Sequence, residues 1–383
     1  MQRGRIGWCR LIVRHGVHPR AGQADSVHAV DRRRVAVVLG GRSSEHAISC
    51  LSATSVLAAL DRSRYDVTAI GIGHDGAWVE LPEDPRVWPQ TDDRLPEVAA
   101  IADTATISTQ RAMAHLVECD VVFPVLHGPW GEDGTIQGLL ETIAVPYVGS
   151  GVLASAAAMD KGVMKSLLHG AGLPVGPWCV ITDRQWRTDR PASLEAVAAL
   201  GLPVFVKPAR AGSSVGITRV TAERDLEAAI EGARSWDPRV IIEAEIAPAR
   251  EIECGVLTDE TGRPFASSCA EIRVREGHEF YDFEAKYLDD SADLVVPADI
   301  PGDRADEVRR LATAAFDALG CEGLARVDFF VTPSAVIINE VNTMPGFTPI
   351  SMFPRMWAAS GMDYPRLVDH LVSDALRRGS GLR

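Results

Sequence analysis

The chain has 383 residues, of which 46% are hydrophobic and 24% charged, and its 39 basic against 52 acidic side chains give a formal net charge of −13. That composition describes a globular protein with room for two or three domains, and its acidic balance argues against nucleic acid or an anionic membrane as the main partner. No run approaches the roughly 18 apolar residues of a membrane span. The seven scattered cysteines (Cys9, Cys50, Cys119, Cys179, Cys254, Cys269, Cys321) form no CxxC pair, which argues against zinc or a disulfide framework and for a reducing, cytoplasmic setting.

Residues 1–33 are rich in Arg and His and lack hydrophobic periodicity. The basic start is not followed by the apolar core of about 7–15 residues that a signal peptide needs, so the stretch reads as a mobile extension. Regular order begins at Arg34. "VAVVLGG" (Val35–Gly41) has the form of a buried strand ending in a glycine turn, with a helix expected from about Ser49 to Leu60. Further strands are expected at Asp66–Gly73 and Cys119–Gly128, and this alternation predicts a parallel sheet covered by helices. Ligands collect at the carboxyl ends of such strands, which puts Gly40, Gly41, Ser43 and Glu45 on one rim with His127 and Gly128. "LHGPWGEDGTIQG" (Leu126–Gly138) sets His, Glu and Asp among glycines that let backbone approach a small ligand; the ordinary alternative is a loop capped by Asp133.

The stretch Gly151–Gly172 reads as one helix, stopped by Gly172 and Pro174. "LPVFVKPARAGSSVGITRV" (Leu202–Val220) then gives strand, loop, strand. Lys207 ends the first strand, and the glycine–serine loop after it suits wrapping of phosphate oxygens, unless it is a plain surface hairpin. GxxxxGK[ST] does not occur, and the glycine turn Gly40–Gly41 runs into Arg42 rather than on into a GxGxxG, which weakens the two commonest nucleotide-site readings. Glu243 and Glu251 flank an expected turn after "VIIEAEI", and a C-terminal helix is expected near Asp363–Leu376.

"ARVDFFVTPSAVIINEVNTMPG" (Ala325–Gly346) reads as a hairpin, with β-branched and aromatic runs on either side of Thr332, Pro333 and Ser334. Alternation puts Arg326 and Asp328 on one face, and Glu340 and Asn342 on one face. Folding symmetrically about Ser334 sets Asp328 opposite Glu340 and Arg326 opposite Asn342. Carboxylates so close repel unless a cation intervenes, and Asp, Glu and Asn oxygens are a Mg²⁺-type donor set. A solvated strand face with an Arg326 salt bridge is the alternative that the hairpin alone leaves open.

Taken in order, "GGRSSEHAIS", "HGPWGEDGTIQG", "MDK", "VKPARAGSSVG", "YDFEAKY" and "ARVDFF…INEVNTMPGF" resemble the D-alanine–D-alanine ligases, members of the ATP-grasp enzymes, over about nine-tenths of the chain. The resemblance implies an α/β fold, α+β in part, of the ATP-grasp type. Three domains would follow the extension 1–33: a parallel-sheet N-terminal domain at 34–150 with the first D-alanine site, a central subdomain at 151–243, and a C-terminal subdomain at 244–383. It implies ATP and D-alanine as small-molecule partners, two Mg²⁺ ions with Mn²⁺ as a substitute, and a homodimer. Carried over residue by residue, Lys161, Lys207 and Lys286 contact phosphates, with Ser213 and Ser214 in a phosphate loop. Glu243, Ala244, Ile246 and Glu251 hold adenine and ribose, although "AEIAPAR" is one residue longer than the usual pattern. Asp328, Glu340 and Asn342 are the implied metal ligands, and Arg326 with the N–H of Gly346 would hold a tetrahedral oxyanion. Glu45 and His127 would receive the first D-alanine and Ser351 the carboxylate of the second. Glu45, Ser213 and Tyr287 would form a link that closes loops over the site. Ligases taking D-lactate or D-serine share nearly all these motifs, and a nucleotide-binding regulator without catalysis is the reading from another class. Tyr287 matches the D-alanine type, and an oxyanion donor such as Arg326 is superfluous in a mere binder.

Overall fold

The computed structural model describes residues 32–88, 96–102, 106–274 and 292–381. The extension expected at 1–33 lies almost wholly outside the described residues, as do Lys286, Tyr287 and the whole "YDFEAKY" motif.

The first sheet joins β1 (Arg33–Gly40), β2 (Tyr65–Ile72), β3 (Trp78–Leu81) and β4 (Val121–Pro124) in the order β3-β2-β1-β4. β1 runs parallel to β2 and to β4. Its side chains from Val35 to Leu39 are all buried, with Val35, Val37 and Leu39 entering one core and Ala36 and Val38 another. A strand covered on both faces can be apolar throughout, which is why it was legible without alternation. β3 pairs antiparallel with β2 at the sheet edge, an element the sequence did not announce because four residues including Glu80 show no clear period. The following helix starts at His46, three residues before the expected Ser49. Its early residues are polar but buried: Ser49 Oγ accepts from Gly40 N at 2.8 Å and donates to the Val125 carbonyl.

Instead of one helix over Gly151–Gly172 there are two, Val152–Met159 and Lys161–Gly170. The break is Asp160, whose extended backbone (φ −85°, ψ 100°) frees its carboxylate to accept from Gly162 N and Val163 N at 3.1 and 3.0 Å. Aspartate competes for backbone donors and so starts helices better than it continues them. Lys161 thereby becomes the first residue of a new helix. The antiparallel second sheet has β5 (Trp178–Ile181), β6 (Val204–Pro208), β7 (Thr218–Val220) and β8 (Val240–Ala244) in the order β5-β8-β6-β7.

The third sheet is antiparallel: β9 (Arg250–Thr258), β10 (Pro264–Val274), β11 (Ala292–Val295), β12 (Leu324–Val331) and β13 (Val336–Asn342), ordered β11-β10-β9-β12-β13. The helix Gly302–Leu319 contributes Val308, Leu311 and Phe316 to the core on one face. On the other, Phe353, Trp357 and Leu371 of the helices Met352–Ala359 and Tyr364–Arg378 share a core with β1. Among the described residues no helix is long and apolar enough to cross a membrane.

Candidate active site

β12 and β13 pair with Arg326 opposite Asn342 and Asp328 opposite Glu340. The route to that register differs from a symmetric fold. Phe329, Phe330 and Val331 face Ile338, Ile337 and Val336, so a tight turn at Thr332–Ala335, closed by Thr332 N to Ala335 O at 2.9 Å, leaves the outer ladder one residue out of step. A bulge restores it, with Asn339 as the extra residue on β13. On its other edge β12 meets β9, which sets Glu253 beside Asp328. Three carboxylates, Glu253, Asp328 and Glu340, therefore stand in one row across three strands.

Arg326 holds that row. Its Nε and NH2 donate to Asp328 Oδ1 and Oδ2, both at 2.7 Å, and Nε lies 3.3 Å from Glu253 Oε1. Burial works against the guanidinium charge, but Asp328 and Glu253 outweigh it and raise its pKa well above the ordinary value. The Arg326 salt bridge foreseen as the ordinary alternative thus exists, yet in a largely buried setting: the paired side chains are 16% and 14% exposed. Asn342 Nδ2 donates to Asp328 Oδ2 at 3.1 Å.

Lys161 Nζ lies 3.4 Å from Glu340 Oε2 and donates to the Ala211 carbonyl at 2.9 Å. Lys207 Nζ is 2.6 Å from Glu243 Oε2, while Lys165 Nζ is 2.7 Å from Glu243 Oε1. Burial alone would raise the Glu243 pKa, but the two lysines reverse this and hold it far below the carboxylate range. Both its oxygens face ammonium groups, so Glu243 anchors the two lysines. Lys165 was missed in the sequence. It donates also to the Asn339 carbonyl, at 3.1 Å, and so grips the bulge itself. The available signal was its place four residues after Lys161, among the buried residues Met164 and Leu168.

From the first sheet come Glu45 and His127. Ser213 Oγ donates to Glu45 Oε1. Two glycines leave room for that carboxylate, since a Cβ on Gly128 or Gly212 would come within 2.6 or 2.5 Å of Glu45 Oε2. Ser43 Oγ donates to the His127 carbonyl at 2.7 Å, so the rim expected from strand ends is assembled. His127 Nδ1 lies 2.9 Å from the Met344 carbonyl and Nε2 3.1 Å from Ser52 Oγ. Burial lowers its pKa, which fits a neutral ring donating from Nδ1 and accepting at Nε2. Glu132, inside the quoted glycine motif but not singled out, accepts from Gly128 N at 2.8 Å and Met344 N at 3.2 Å. Burial, then the charge of Glu45, push its carboxyl up to about 8. Glu253 was also missed, although it shares a strand face with Glu251.

The charged groups named above, with His127, Ser213 and Asn342, line one cavity of about 570 Å³, together with Ser214, Ala244, Ile246, Glu251, Gly346 and Ser351. Its size suits a cofactor-sized ligand. Ser351 Oγ accepts from Thr348 N at 3.1 Å and lies 2.7 Å from Thr348 Oγ1. Among the described residues no three His, Cys, Asp or Glu side chains close on a single point. Asp328, Glu340 and Asn342 present a hard oxygen set of the kind that Mg²⁺ takes when phosphate oxygens and water complete its shell.

The parallel-sheet unit, the two antiparallel sheets and a lysine-lined cavity among them define an ATP-grasp fold. Residues 34–150 match the family model described as D-ala D-ala ligase N-terminus, and residues 167–373 that described as D-ala D-ala ligase C-terminus. A D-alanine–D-alanine ligase of Kineococcus radiotolerans is 58% identical, with 91% of this chain and 98% of that protein covered. Two solved structures share the fold. The Coxiella burnetii D-alanine–D-alanine ligase has a TM-score of 0.73 at 33% identity, covering 91% of this chain and 95% of that one. The VanG D-Ala:D-Ser ligase of Enterococcus faecalis has a TM-score of 0.74 at 32% identity, covering 90% of this chain and 100% of that one. The chain belongs to the D-alanine–D-alanine ligase family.

Proposed function

We propose that the protein joins two D-alanines into D-alanyl-D-alanine at the expense of ATP, a step of peptidoglycan precursor synthesis. One observation carries the reading: a single cavity brings a carboxylate row and a largely buried arginine from one sheet, and lysines from a second sheet and the helix Lys161–Gly170, against Glu45 and His127 at the rim of a third.

In this reading a carboxylate oxygen of the first D-alanine attacks the γ-phosphorus of ATP, forming an acyl phosphate as the bond to ADP breaks. The amine of the second then attacks the acyl carbon, phosphate departs, and the nitrogen loses its proton. Glu45 receives the ammonium of the first D-alanine near His127, whose neutral ring adds no competing charge. Lys161 and Lys207 face the phosphates, with Lys207 aimed by Glu243, and Ser213 and Ser214 close the loop over them. Charge neutralisation of this kind dominates phosphoryl transfer. Arg326 and the N–H of Gly346 hold the tetrahedral oxyanion, and Ser351 the second carboxylate. Asp328, Glu340 and Asn342 would hold two Mg²⁺, which neutralise charge on the transferring phosphoryl group when bound. Lys286 and Tyr287 keep the roles their motif implies, and Ala244, Ile246 and Glu251 form the adenine and ribose pocket. The division at 34–150, 151–243 and 244–383, a homodimer and a cytoplasmic location belong to the same proposal.

Phosphate release with ATP and D-alanine, D-serine or D-lactate tests it. Turnover with D-alanine alone should exceed any gain from adding D-serine or D-lactate. Release that depends on D-serine would overturn the substrate assignment in favour of the activity named for VanG, and release that depends on D-lactate would overturn it in favour of a hydroxy-acid nucleophile.

A further inference from the structure

Five lysine and arginine side chains line the cavity: Lys161, Lys165, Lys207, Arg326 and Arg355. Four of them have carboxylate partners. Lys161 faces Glu340, Lys165 and Lys207 share Glu243, and Arg326 faces Asp328 and Glu253. Arg355 is the exception. Its side chain makes one hydrogen bond, NH2 to the Leu294 carbonyl at 3.1 Å, and no ion pair among the described residues. That bond fixes the plane of the guanidinium while leaving most of its donors unused.

The position of Arg355 is also costly for its own helix. It lies in the first turn of Met352–Ala359, with its N–H on the Ser351 carbonyl at 3.2 Å, and no acidic residue accompanies it there. A cation at a helix N-terminus opposes the helix dipole. A half-buried cation with no ion pair among the described residues is explained in that place by an anion that arrives with the substrates. The phosphates already face Lys161 and Lys207 in the proposed reaction, and Arg355 sits one helical turn from Ser351, at the other end of the chemistry.

We propose that Arg355 receives the carboxylate of the second amino acid and makes the enzyme selective for nucleophiles that carry one. This rests on the ligase reading above. A planar guanidinium takes a carboxylate through two parallel hydrogen bonds, and a site built for such a group discriminates against a substrate lacking it.

The test is competition between D-alanine and D-alaninamide as nucleophiles, with ATP and the full-length enzyme, read as the ratio of dipeptide to dipeptide amide. The unsubstituted enzyme should favour D-alanine strongly. Arg355→Gln should lower that preference about tenfold to a hundredfold, the range for a lost charged hydrogen bond, with the KM for ATP little changed. Arg355→Lys, which keeps the charge without the fork, should retain part of the preference. An unchanged product ratio in Arg355→Gln overturns the inference, as does a KM for ATP that rises in parallel, which would make the arginine a phosphate contact. If Arg355→Gln folds poorly, the ratio in Arg355→Lys decides, because a ratio equal to that of the unsubstituted enzyme then counts against a bidentate contact. No dipeptide from the unsubstituted enzyme would instead refute the ligase reading, and the inference with it.

Discussion

At the scale of single residues, burial decides which charges are usable. Arg326 is paired in the resting site with Asp328 and Glu253, so in the proposed reaction its contribution comes at an intermediate that carries more negative charge than the ground state. Arg326→Ala should therefore lower kcat by about 10²-fold or more, while ATP affinity changes little. An ATP affinity that collapses with kcat barely altered would make it a phosphate anchor. Glu132 gives a pH prediction whose sign follows from linkage. Its carboxyl has an ordinary value of 4.5 and is pushed up to about 8 in the fold, by burial first and Glu45 second. Between those values the folded chain keeps a proton that the unfolded chain has released, so stability falls as pH rises through the window and levels off above it. Glu132→Gln cannot titrate. The Tm of the unsubstituted protein minus that of the variant should accordingly decline from pH 5 to 8 and flatten beyond, and a difference that stays constant over this range would show that Glu132 is ionised in the fold.

At the scale of elements, the hairpin was legible and its bulge was not. Alternation placed Arg326, Asp328, Glu340 and Asn342 on facing strands because half-buried strands declare their faces. The symmetric turn assumed about Ser334 reached the right pairs because a tight turn and the extra Asn339 offset one another. The doubled polar pair Asn339–Glu340 between Ile338 and Val341 was the trace of that bulge in the sequence. Asp160 splits an apparently continuous helical run for a local reason, its own capping bonds. The lysine pair on Glu243 depends on strands distant in sequence, which no local pattern reports. Lys165 joins these elements, holding Glu243 on β8 and the Asn339 carbonyl on β13. Without it, Glu243 has only Lys207 to neutralise it and draws that charge away from an incoming phosphate. Lys165→Met, close in volume, should weaken ADP binding measured without divalent cation by about tenfold, the loss of one charged contact. Equal ADP affinity in the two proteins, by calorimetry, would reduce Lys165 to a packing role.

At the scale of the whole molecule, the site exists only where three sheets meet, and polar contacts tie them together around it. His127 and Glu132 reach the backbone of Met344, Ser52 reaches Phe347 N at 3.3 Å, and Ser213 reaches Glu45. The last of these ties the loop after β6 to the rim of the first sheet. It also carries backbone strain. Ser213 and Ser214 have φ of 50° and 59°, two consecutive residues in the left-handed region, each costing on the order of 1–2 kcal/mol for a residue with a Cβ. The bond to Glu45 offsets part of that cost, so the loop should loosen when the hydroxyl is removed and the strain is kept. Ser213→Ala does both; Ser213→Gly removes the hydroxyl and relieves the strain. In the nucleotide-bound protein, amide exchange across 211–217 should be faster in Ser213→Ala than in the unsubstituted chain, with Ser213→Gly in between. The KM for the first D-alanine should rise about tenfold in Ser213→Ala, as expected for one charged hydrogen bond, because Glu45 loses the partner that orients it. ADP affinity should move far less, since Lys161 and Lys207 are held by other groups. Exchange in Ser213→Ala as slow as in the unsubstituted protein would mean that the loop is fixed by its own backbone and that the tie to the first sheet contributes nothing to closure.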